Sequence, residues 1–174
     1  ILWNHRWEFD KRPEMFTRAI LRLLDSGITV KVMLLGEERQ NEKNFALLAE
    51  KLGKNLLHSG FLPSRDDYNR CLEQADIIVS CAAQEYFGIS VAEAIHAGCY
   101  PLLPREQVYP SLYSSCNENH LYDDEDELVK MLSKLIEGRY LHDCPLPLQC
   151  NDYCWQNLTP LYDKLFNDTV NQRT

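Results

Sequence analysis

Short apolar runs alternate along the chain with longer segments in which apolar residues recur every three or four positions. The run Thr29–Leu35 is typical of a buried strand, whereas the residues before it have the spacing of one helix face: Phe16, Ala19, Ile20 and Leu23. Strands that alternate with helices predict a parallel sheet covered by helices on both faces. The pattern therefore indicates an α/β protein with a Rossmann-like, doubly wound parallel sheet.

The same periodicity predicts six strands and six helices. The strands are expected at the start of the apolar stretch Ile1–Trp7, before a loop at Asn4–Arg12, and at Thr29–Leu35, Leu56–Phe61, Asp76–Cys81, Tyr100–Leu103 and His120–Tyr122. The helices are expected at residues 13–26, 45–52, 64–75, 91–97, 128–137 and 155–165, most of them ending at a glycine.

Several single residues refine this prediction. Pro160 lies inside the last helix and should kink or break it. The acidic run Asp123–Glu127 is expected to begin the fifth helix, because negative charge is favourable at a helix N-terminus. Trp3 and Trp7 are expected in the core, and Trp155 is expected to pack the last helix against the sheet.

The length of 174 residues fits one domain with a short extension. An irregular stretch with two prolines, Leu141–Cys150, separates the α/β pattern from the final helical segment. We expect one domain at residues 1–150. Residues 151–174 should form a C-terminal helix or tail that packs on this domain or crosses from it.

Composition narrows the class of protein. The chain has 18 Lys and Arg against 26 Asp and Glu, a net charge of −8, which opposes nucleic-acid binding by this surface alone. No apolar run approaches the ~18–20 residues that span a bilayer, so no membrane association is expected. The first residues do not resemble a signal peptide. Seven cysteines without a Cys-x-x-Cys pair indicate reduced thiols. We expect a cytoplasmic protein, with the nucleus as a further compartment.

Common cofactor and metal motifs are missing from the sequence. Neither the dinucleotide fingerprint GxGxxG nor the phosphate loop GxxxxGK[ST] occurs, so NAD-dependent enzymes and ordinary ATPases lose support. The HExxH metal motif and the GxSxG nucleophile motif are also missing. We therefore expect no catalytic metal.

The loops at the carboxyl ends of the predicted strands are the places where an open α/β sheet binds ligands. After the fourth strand, Gln84–Ala94 contains Gly88, which lets the backbone approach a ligand, and then a helix whose first N–H groups favour phosphate. Glu85 lies on this loop and Glu93 lies one turn into the helix, so both carboxylates are positioned to accept hydrogen bonds from sugar or ribose hydroxyls. Phe87 is expected either in the core or in the pocket wall.

Two cations follow the first predicted strand. Arg6 and Lys11 are five residues apart on that loop and near a helix N-terminus, which suits a diphosphate. His5 adjoins Arg6 and is the histidine with the best case for a role in the site. Gly36 closes the second predicted strand and lies at the same edge of the sheet.

These motifs resemble the donor-binding, C-terminal half of retaining GT-B glycosyltransferases of family 4. Glu85 and Glu93, with Phe-Gly between them, match the family's Glu-x7-Glu block. Arg6 and Lys11 match its Arg-x4-Lys pair. Gly60-Phe61-Leu62 matches its motif after the third strand. The combined order of these motifs makes the resemblance specific.

Three longer stretches are similar to one subfamily, whose members mannosylate queuosine in tRNA. They are Trp-x-His-Arg-Trp-Glu at residues 3–8, Gly-Phe-Leu-Pro-Ser-x-Asp-Asp-Tyr at residues 60–68 and Gly-Cys-Tyr-Pro-Leu at residues 98–102. The resemblance runs from Ile1 to about Leu165. It implies transfer of mannose from GDP-mannose to queuosine in aspartate tRNA, with retention of configuration and without a metal or other cofactor.

The resemblance also implies a role for each candidate residue. Arg6 and Lys11 would hold the diphosphate and stabilise the leaving group. Glu85 would hold sugar hydroxyls, as the third catalytic residue, and Glu93 would hold the ribose. The remaining candidates are the phosphate-binding residues Gly88, Ile89 and Ser90, the base-pocket residues Phe61 and Leu62, and the site residues Phe87, Gly36 and His5.

An acceptor-binding N-terminal domain is implied as well, and it is not part of this chain. The tRNA would contact mainly that domain. We expect the donor domain alone to bind nucleotide sugar weakly and to turn over poorly.

Other interpretations of the same residues stay open. Ser90 and Glu93 have the spacing of a capping box, whose only role would be to begin a helix. Glu85 is alternatively a solvated acid on the loop. Arg6 and Lys11 are alternatively a pair of surface cations. Two glutamates also suggest a glycosidase carboxylate pair. A donor such as UDP-glucose is compatible with the bare motifs, and a noncatalytic nucleotide-binding or interaction module can use the same fold.

Overall fold

The computed structural model describes residues 1–37, 42–113, 119–138 and 151–171. Within these ranges one sheet contains six strands, β1 (Leu2–Trp3), β2 (Val32–Leu35), β3 (Leu56–Gly60), β4 (Ile77–Val79), β5 (Tyr100–Pro104) and β6 (Leu121–Tyr122). The described helices are α1 (Pro13–Asp25), α2 (Glu42–Leu52), α3 (Arg65–Glu73), α4 (Ile89–His96), α5 (Tyr109–Leu112), α6 (Glu125–Ile136) and α7 (Trp155–Asn171).

All strand pairs in the sheet are parallel, and the strand order is β3-β2-β1-β4-β5-β6. In the centre, Leu2 of β1 lies opposite Met33 of β2 on one side and Ile78 of β4 on the other. The chain winds outward from β1 to β3 and then, in the other direction, from β4 to β6. This is the doubly wound order that the sequence predicts, and it opens a crevice at the carboxyl ends of β1 and β4.

Two apolar layers cover the two faces of the sheet. One layer, which includes Trp3 and Leu34, packs against α1, α2 and α6. The other, which includes Leu2 and Met33, packs against α3, α4 and α5. Successive strand residues enter opposite layers because side chains alternate across a strand. Burial on both faces explains why the strands are continuous apolar runs in the sequence.

The first strand is short, and its end agrees with the predicted loop Asn4–Arg12. β1 ends at Trp3, and residues 4–7 turn away as a loop in which Trp7 is buried. The Trp7 N–H donates to the Glu37 carbonyl oxygen at 3.3 Å. The apolar pattern continues through this loop because a buried loop and a buried strand contain similar side chains. Trp3 and Trp7 both lie in the core, as predicted.

The predicted helix starts after β3 and β6 are confirmed by their caps. Ser64 Oγ accepts a hydrogen bond from the Asp67 N–H at 3.3 Å and begins α3. Asp124 Oδ1 accepts one from the Glu127 N–H at 2.8 Å and begins α6, so the acidic run is a helix start. Helix α5 was not predicted, because four residues are too few to give a periodic pattern.

The last helix differs from the prediction in two respects. α7 runs from Trp155 to Asn171 without a break at Pro160. Gln156 and Pro160 are exposed, so water can bond the carbonyl oxygen that the missing Pro160 N–H would otherwise bond. The expected packing of Trp155 against the sheet is wrong, since this side chain is 67% exposed and no described α7 side chain is buried.

The domain boundary between residues 1–150 and 151–174 stays a prediction. The irregular stretch Leu141–Cys150 lies outside the described residues. Among the helices that the structure describes, none has the length and apolar character needed to cross a bilayer.

Candidate functional site

The loops after β1 and β4 meet at the switch point of the sheet. The Ala83 N–H donates to the Asp10 carbonyl oxygen at 2.7 Å and ties the two loops together. Between them lies a cavity of about 420 Å³, whose wall contains Asn4, His5, Arg6, Lys11, Glu85, Tyr86, Phe87, Gly88, Ile89 and Ser90. Eight of the twelve predicted site residues are in this wall, whereas Glu93, Phe61, Leu62 and Gly36 are not.

A larger cavity, of about 890 Å³, lies at the opposite edge of the sheet. Its wall includes Ile1, Lys31, Asp76 and Tyr100, which are near the amino ends of the strands. Open parallel sheets bind ligands at the carboxyl ends, where the following helices begin and present N–H groups. The smaller cavity therefore has the setting of a phosphate site.

Lys11 is the buried cation of the smaller cavity. Its side chain is 11% exposed, and Nζ donates to the Gln84 carbonyl oxygen at 2.7 Å. Nζ also lies 3.0 Å from Asp10 Oδ2 and 3.3 Å from Glu85 Oε2. These three acceptors match the three N–H bonds of an ammonium group. An anion that binds Nζ must therefore take the place of one of these three acceptors.

Glu85 is the anion that pairs with Lys11, and hydrogen bonds hold its carboxylate in place. Its Oε1 accepts hydrogen bonds from the Tyr86 N–H at 3.1 Å and the Gly88 N–H at 3.0 Å, while Oε2 faces Lys11. Burial raises the pKa of the Glu85 carboxyl group, but Lys11 and the two N–H donors outweigh burial, so the pKa is lowered overall. At neutral pH Glu85 is a hydrogen-bond acceptor and not a proton donor.

Gly88 lets this loop close against α5. Its φ is 79°, and a Cβ atom there would lie 3.2 Å from the Tyr109 ring and 3.5 Å from Glu85 Cγ. Below it, the Tyr109 hydroxyl and Ser80 Oγ are 2.9 Å apart, and the Tyr122 hydroxyl donates to the Ser80 carbonyl oxygen at 2.6 Å. The loop after β4 therefore rests on a buried group of hydroxyls that extends to β6.

Helix α4 begins two residues earlier than predicted. Its N-cap residue is Gly88, and no side chain caps it. The capping box of Ser90 and Glu93 is therefore wrong, because both residues lie inside the helix. The Gly88 N–H is taken by Glu85, whereas the N–H groups of Ile89 and Ser90 are in the first turn, which has no acceptors within the helix. This helix end favours an anion in the cavity.

His5 packs beneath the helix end as a neutral ring. It is buried, with Nδ1 3.4 Å from Ser90 Oγ. Burial, and next the charge of Lys11, lowers the pKa of His5 to about 4. Its Nε2 has no hydrogen-bond partner among the described residues. At neutral pH His5 therefore adds no positive charge to the cavity.

Arg6 is the exposed cation of the site. Its side chain is 63% exposed, and Nη1 lies 3.3 Å from Glu8 Oε1. An exposed ion pair of this kind contributes about 0–1 kcal/mol. The Arg6 guanidinium can therefore reorient toward a ligand at small cost, unlike the buried ammonium of Lys11.

Glu93 belongs to a hydrogen-bonded network beside the cavity. Its Oε1 accepts a hydrogen bond from Arg65 Nη2 at 2.7 Å, and its Oε2 accepts one from the Tyr68 hydroxyl at 2.9 Å. Asn4 Nδ2 donates to the Tyr68 hydroxyl at 3.1 Å and to the Ser90 carbonyl oxygen at 2.9 Å. The network joins the loop after β1 to α3 and α4.

The other predicted residues near the cavity differ in their setting. Phe61 is exposed, and Leu62 is half-buried against the layer that contains α3. A Cβ atom at Gly36 would lie 2.0 Å from the His5 carbonyl oxygen, so Gly36 allows the loops after β1 and β2 to touch. The role of Phe61 and Leu62 as a base pocket stays a prediction.

Phe87 is a half-buried part of the cavity wall. Its ring meets the Tyr153 ring edge-on, with 4.9 Å between the ring centroids. Tyr153 belongs to the short turn before α7. The segment before the last helix therefore supports the wall of the site.

Within the described ranges, no metal cluster accompanies the site. No three His, Cys, Asp or Glu side chains there are placed to hold a metal ion. Cys71, Cys81, Cys99 and Cys154 are free thiols. Burial raises the pKa of Cys81 to about 12, which makes it a poor nucleophile at neutral pH.

The residues that build the site and were not predicted include Asn4, Arg65, Tyr68 and Gln84. Asn4 does have a signal in the sequence, because it is polar and directly follows a buried strand. Tyr68 ends the stretch at residues 60–68 that carries the subfamily resemblance. Gln84 acts through its backbone carbonyl group, which every residue type has, and Arg65 is one of many surface arginines.

Comparisons with known sequences identify the family of the chain. The profile of the family described as "Glycosyl transferases group 1" matches residues 1–151. The tRNA-queuosine alpha-mannosyltransferase of Drosophila melanogaster is 37% identical over 133 residues, which are 76% of this chain and 34% of that protein. The chain therefore spans about one third of the length of this curated relative.

Solved structures share the fold at low sequence identity. The pneumococcal O-GlcNAc transferase GtfA, solved with UDP and GlcNAc, has a TM-score of 0.80 at 12% identity, over 97% of this chain and 35% of that chain. Sucrose-phosphate synthase from Thermosynechococcus elongatus has a TM-score of 0.74 at 14% identity, over 98% of this chain and 45% of that chain. The catalytic domain of cholesterol-alpha-glucosyltransferase from Helicobacter pylori has a TM-score of 0.61 at 18% identity, over 91% of this chain and 96% of that chain.

The family assignment rests on sequence, because identities this low show the fold alone. The profile covers most of the chain, and the Drosophila relative is similar over three quarters of it. The parallel sheet with its switch point between β1 and β4 agrees with that assignment. The chain belongs to the group 1 glycosyltransferases and has the α/β fold of GT-B enzymes.

Proposed function

We propose that this chain is the nucleotide-sugar-binding half of a retaining glycosyltransferase. The observation that carries the proposal is the buried Lys11–Glu85 pair at the start of α4. A buried cation and the first-turn N–H groups of Ile89 and Ser90 suit a diphosphate, and a fixed carboxylate suits the hydroxyls of the attached sugar. All of these groups lie in one cavity at the carboxyl edge of the sheet.

The proposed reaction places negative charge where the site has positive charge. The bond between the anomeric carbon and the diphosphate oxygen breaks, and the leaving diphosphate keeps the electron pair. Lys11, Arg6 and the N-terminus of α4 stabilise that charge as it grows. The acceptor hydroxyl bonds to the anomeric carbon on the same face, and its proton passes to the departing phosphate oxygen. The step needs no nucleophile from the enzyme.

The two glutamates would bind the two sugar units of the donor. Glu85 would accept hydrogen bonds from the transferred sugar, because it is held as an anion beside Lys11. Glu93 would accept them from the ribose, with Phe61 and Leu62 on the side of the base. Phe87 would form a wall of the cavity, and His5 and Gly88 would shape its floor, while Gly36 beside the cavity would let the loops after β1 and β2 touch.

The proposed donor is GDP-mannose, and the proposed acceptor is queuosine in aspartate tRNA. The name of the Drosophila relative and the subfamily stretches at residues 3–8, 60–68 and 98–102 support this choice. The net charge of −8 favours a tRNA contact mainly through another part of the protein. A tRNA acceptor suits the cytoplasm, with the nucleus as an alternative. Another donor and acceptor of the same family are the second candidate.

Calorimetric titration of the chain with GDP, UDP and GDP-mannose tests the proposal. We expect GDP to bind more tightly than UDP, and Arg6→Ala to weaken GDP binding severalfold because a diphosphate contact is lost. Arg18→Ala is the matched control, since Arg18 is an exposed arginine on α1 that pairs with Glu125.

Each other outcome has a definite meaning. A preference for UDP would reject the mannosyl-queuosine assignment while keeping a nucleotide-sugar site. Failure of the wild-type chain to bind any nucleoside diphosphate would overturn the proposal for this domain. Nucleotide binding without sugar transfer by a longer protein that contains this chain would favour a noncatalytic binding module.

A further inference from the structure

The Glu93 carboxylate is held by two donors of different kinds. Arg65 reaches Oε1 at 2.7 Å from a side chain that is 64% exposed. The Tyr68 hydroxyl reaches Oε2 at 2.9 Å from a half-buried ring. Water and salt screen the first contact more than the second. The tyrosine is therefore the contact that fixes where the carboxylate lies.

Asn4 fixes the tyrosine in turn. Asn4 is buried, and its Nδ2 group uses both N–H bonds, one to the Tyr68 hydroxyl and one to the Ser90 carbonyl oxygen. Rotation of the amide would break both of these hydrogen bonds, which is unfavourable for a buried side chain. Because the Tyr68 oxygen accepts from Asn4, its own proton is directed to Glu93.

The arrangement leaves half of the acceptor capacity of Glu93 for a ligand. An ionised carboxylate has about four lone-pair sites, and Arg65 and Tyr68 use one each. Two neighbouring hydroxyl groups of a ribose match the two that are left. The same carboxylate, free to rotate, would present those sites in many directions.

We propose that Tyr68 is a positioning residue that fixes Glu93 for the 2′- and 3′-hydroxyls of the donor nucleotide. This inference rests on the proposed function, because it needs a nucleoside diphosphate in the adjacent cavity. Tyr68 touches no ligand in this arrangement and acts only through Glu93. Burial, and next the charge of Glu93, raises the pKa of Tyr68, so the hydroxyl remains a donor at physiological pH.

The test compares GDP with 2′-deoxy-GDP and 3′-deoxy-GDP, titrated into this chain and into Tyr68→Phe. We expect the wild-type chain to bind GDP roughly tenfold more tightly than either deoxy analogue, since one hydrogen bond to a charged group is lost. In Tyr68→Phe that ratio should fall below about threefold. Tyr100→Phe is the matched control, because it removes a hydroxyl that donates to the Asn119 carbonyl oxygen at the other edge of the sheet.

A double-mutant cycle with Glu93→Gln separates positioning from a general loss of structure. If Tyr68 acts through Glu93, the tyrosine substitution should change the deoxy ratio in the wild-type background and leave it unchanged in the Glu93→Gln background. An unaltered ratio in Tyr68→Phe would overturn the inference and leave the nucleotide site intact. A wild-type chain that binds no nucleoside diphosphate would overturn the proposed function, and this inference with it.

Discussion

Residues that the sequence treats as equivalent have different surroundings in the structure. Arg6 and Lys11 form one motif by spacing, yet Lys11 is buried against three acceptors while Arg6 is mostly exposed beside Glu8. A buried charge depends on its partners, because water cannot replace them. An exposed charge does not. Substitutions at the two positions should therefore differ in kind.

Lys11→Met should both weaken nucleotide binding and destabilise the chain. It leaves Glu85 and Asp10 without their shared cation, and breaking a buried pair costs about 3 kcal/mol or more. We expect at least a tenfold loss of GDP affinity by calorimetry and a lower urea midpoint. Lys31→Met, an exposed lysine at the opposite edge, is the control. Wild-type stability in Lys11→Met would contradict the buried pair.

The buried His5 should make the chain less stable in mild acid. Its pKa is lowered from 6.5 to about 4 in the folded chain, mainly by burial. Between these two pH values the unfolded chain binds a proton that the folded chain excludes, so stability is full above pH 6.5 and falls as pH drops toward 4. The difference corresponds to about 3 kcal/mol.

Urea unfolding of His5→Gln at several pH values measures this contribution. The fall in unfolding free energy between pH 6.5 and 4 should be smaller in His5→Gln than in the wild type. The exposed His96 provides the control, and His96→Gln should keep the wild-type slope. Equal slopes in all three chains would show that His5 is accessible to protons in the folded state.

At the scale of elements, the N-terminal caps distinguish helix α4 from helix α6. Helix α6 has its own acid at the N-cap, and Asp124 satisfies an N–H group of the first turn. Helix α4 has Gly88 at that position and no side-chain cap. Its first turn is thus left for an external anion, at the edge of the sheet where the cavity lies.

Gly88→Ala should disturb the site more than the same change at Gly27. The two glycines have nearly equal φ values, 79° and 81°, so the backbone cost of a Cβ atom, about 1–2 kcal/mol, is shared. Only at Gly88 does the added atom meet a neighbour, Tyr109 at 3.2 Å. We expect both variants to lose thermal stability and only Gly88→Ala to lose GDP affinity in addition. Equal affinities would exclude a ligand close to Gly88.

At the scale of the whole molecule, the sequence predicts the sheet better than the site. Alternating patterns identify all six strands, since buried parallel strands are distinctive apolar runs. Contacts between distant segments cannot be predicted in the same way. The bond from Asn4 to Tyr68 joins residues 64 positions apart, and that from Lys11 to the Gln84 carbonyl joins residues 73 apart. Neither leaves a local pattern, so only the motif resemblance indicates which loops meet.

The acidic surface gives a prediction about the chain as a whole. With a net charge of −8, it should not retard aspartate tRNA in a native gel at physiological salt, although it binds GDP in the same buffer. Titration with GDP serves as the control for a folded sample. Retardation that weakens as salt is raised would mean that a local basic surface outweighs the net charge.

The buried group of hydroxyls beneath the loop after β4 can form only late in synthesis of the chain. Ser80 accepts its hydrogen bond from Tyr122, which follows it by 42 residues in the chain. At about 5–20 residues per second, a ribosome adds the second residue roughly 2–8 seconds after the first. During this interval the loop lacks its support from β6, and the proposed nucleotide site is unfinished in the nascent chain. We therefore expect ligand binding during synthesis to begin only after β6 has emerged.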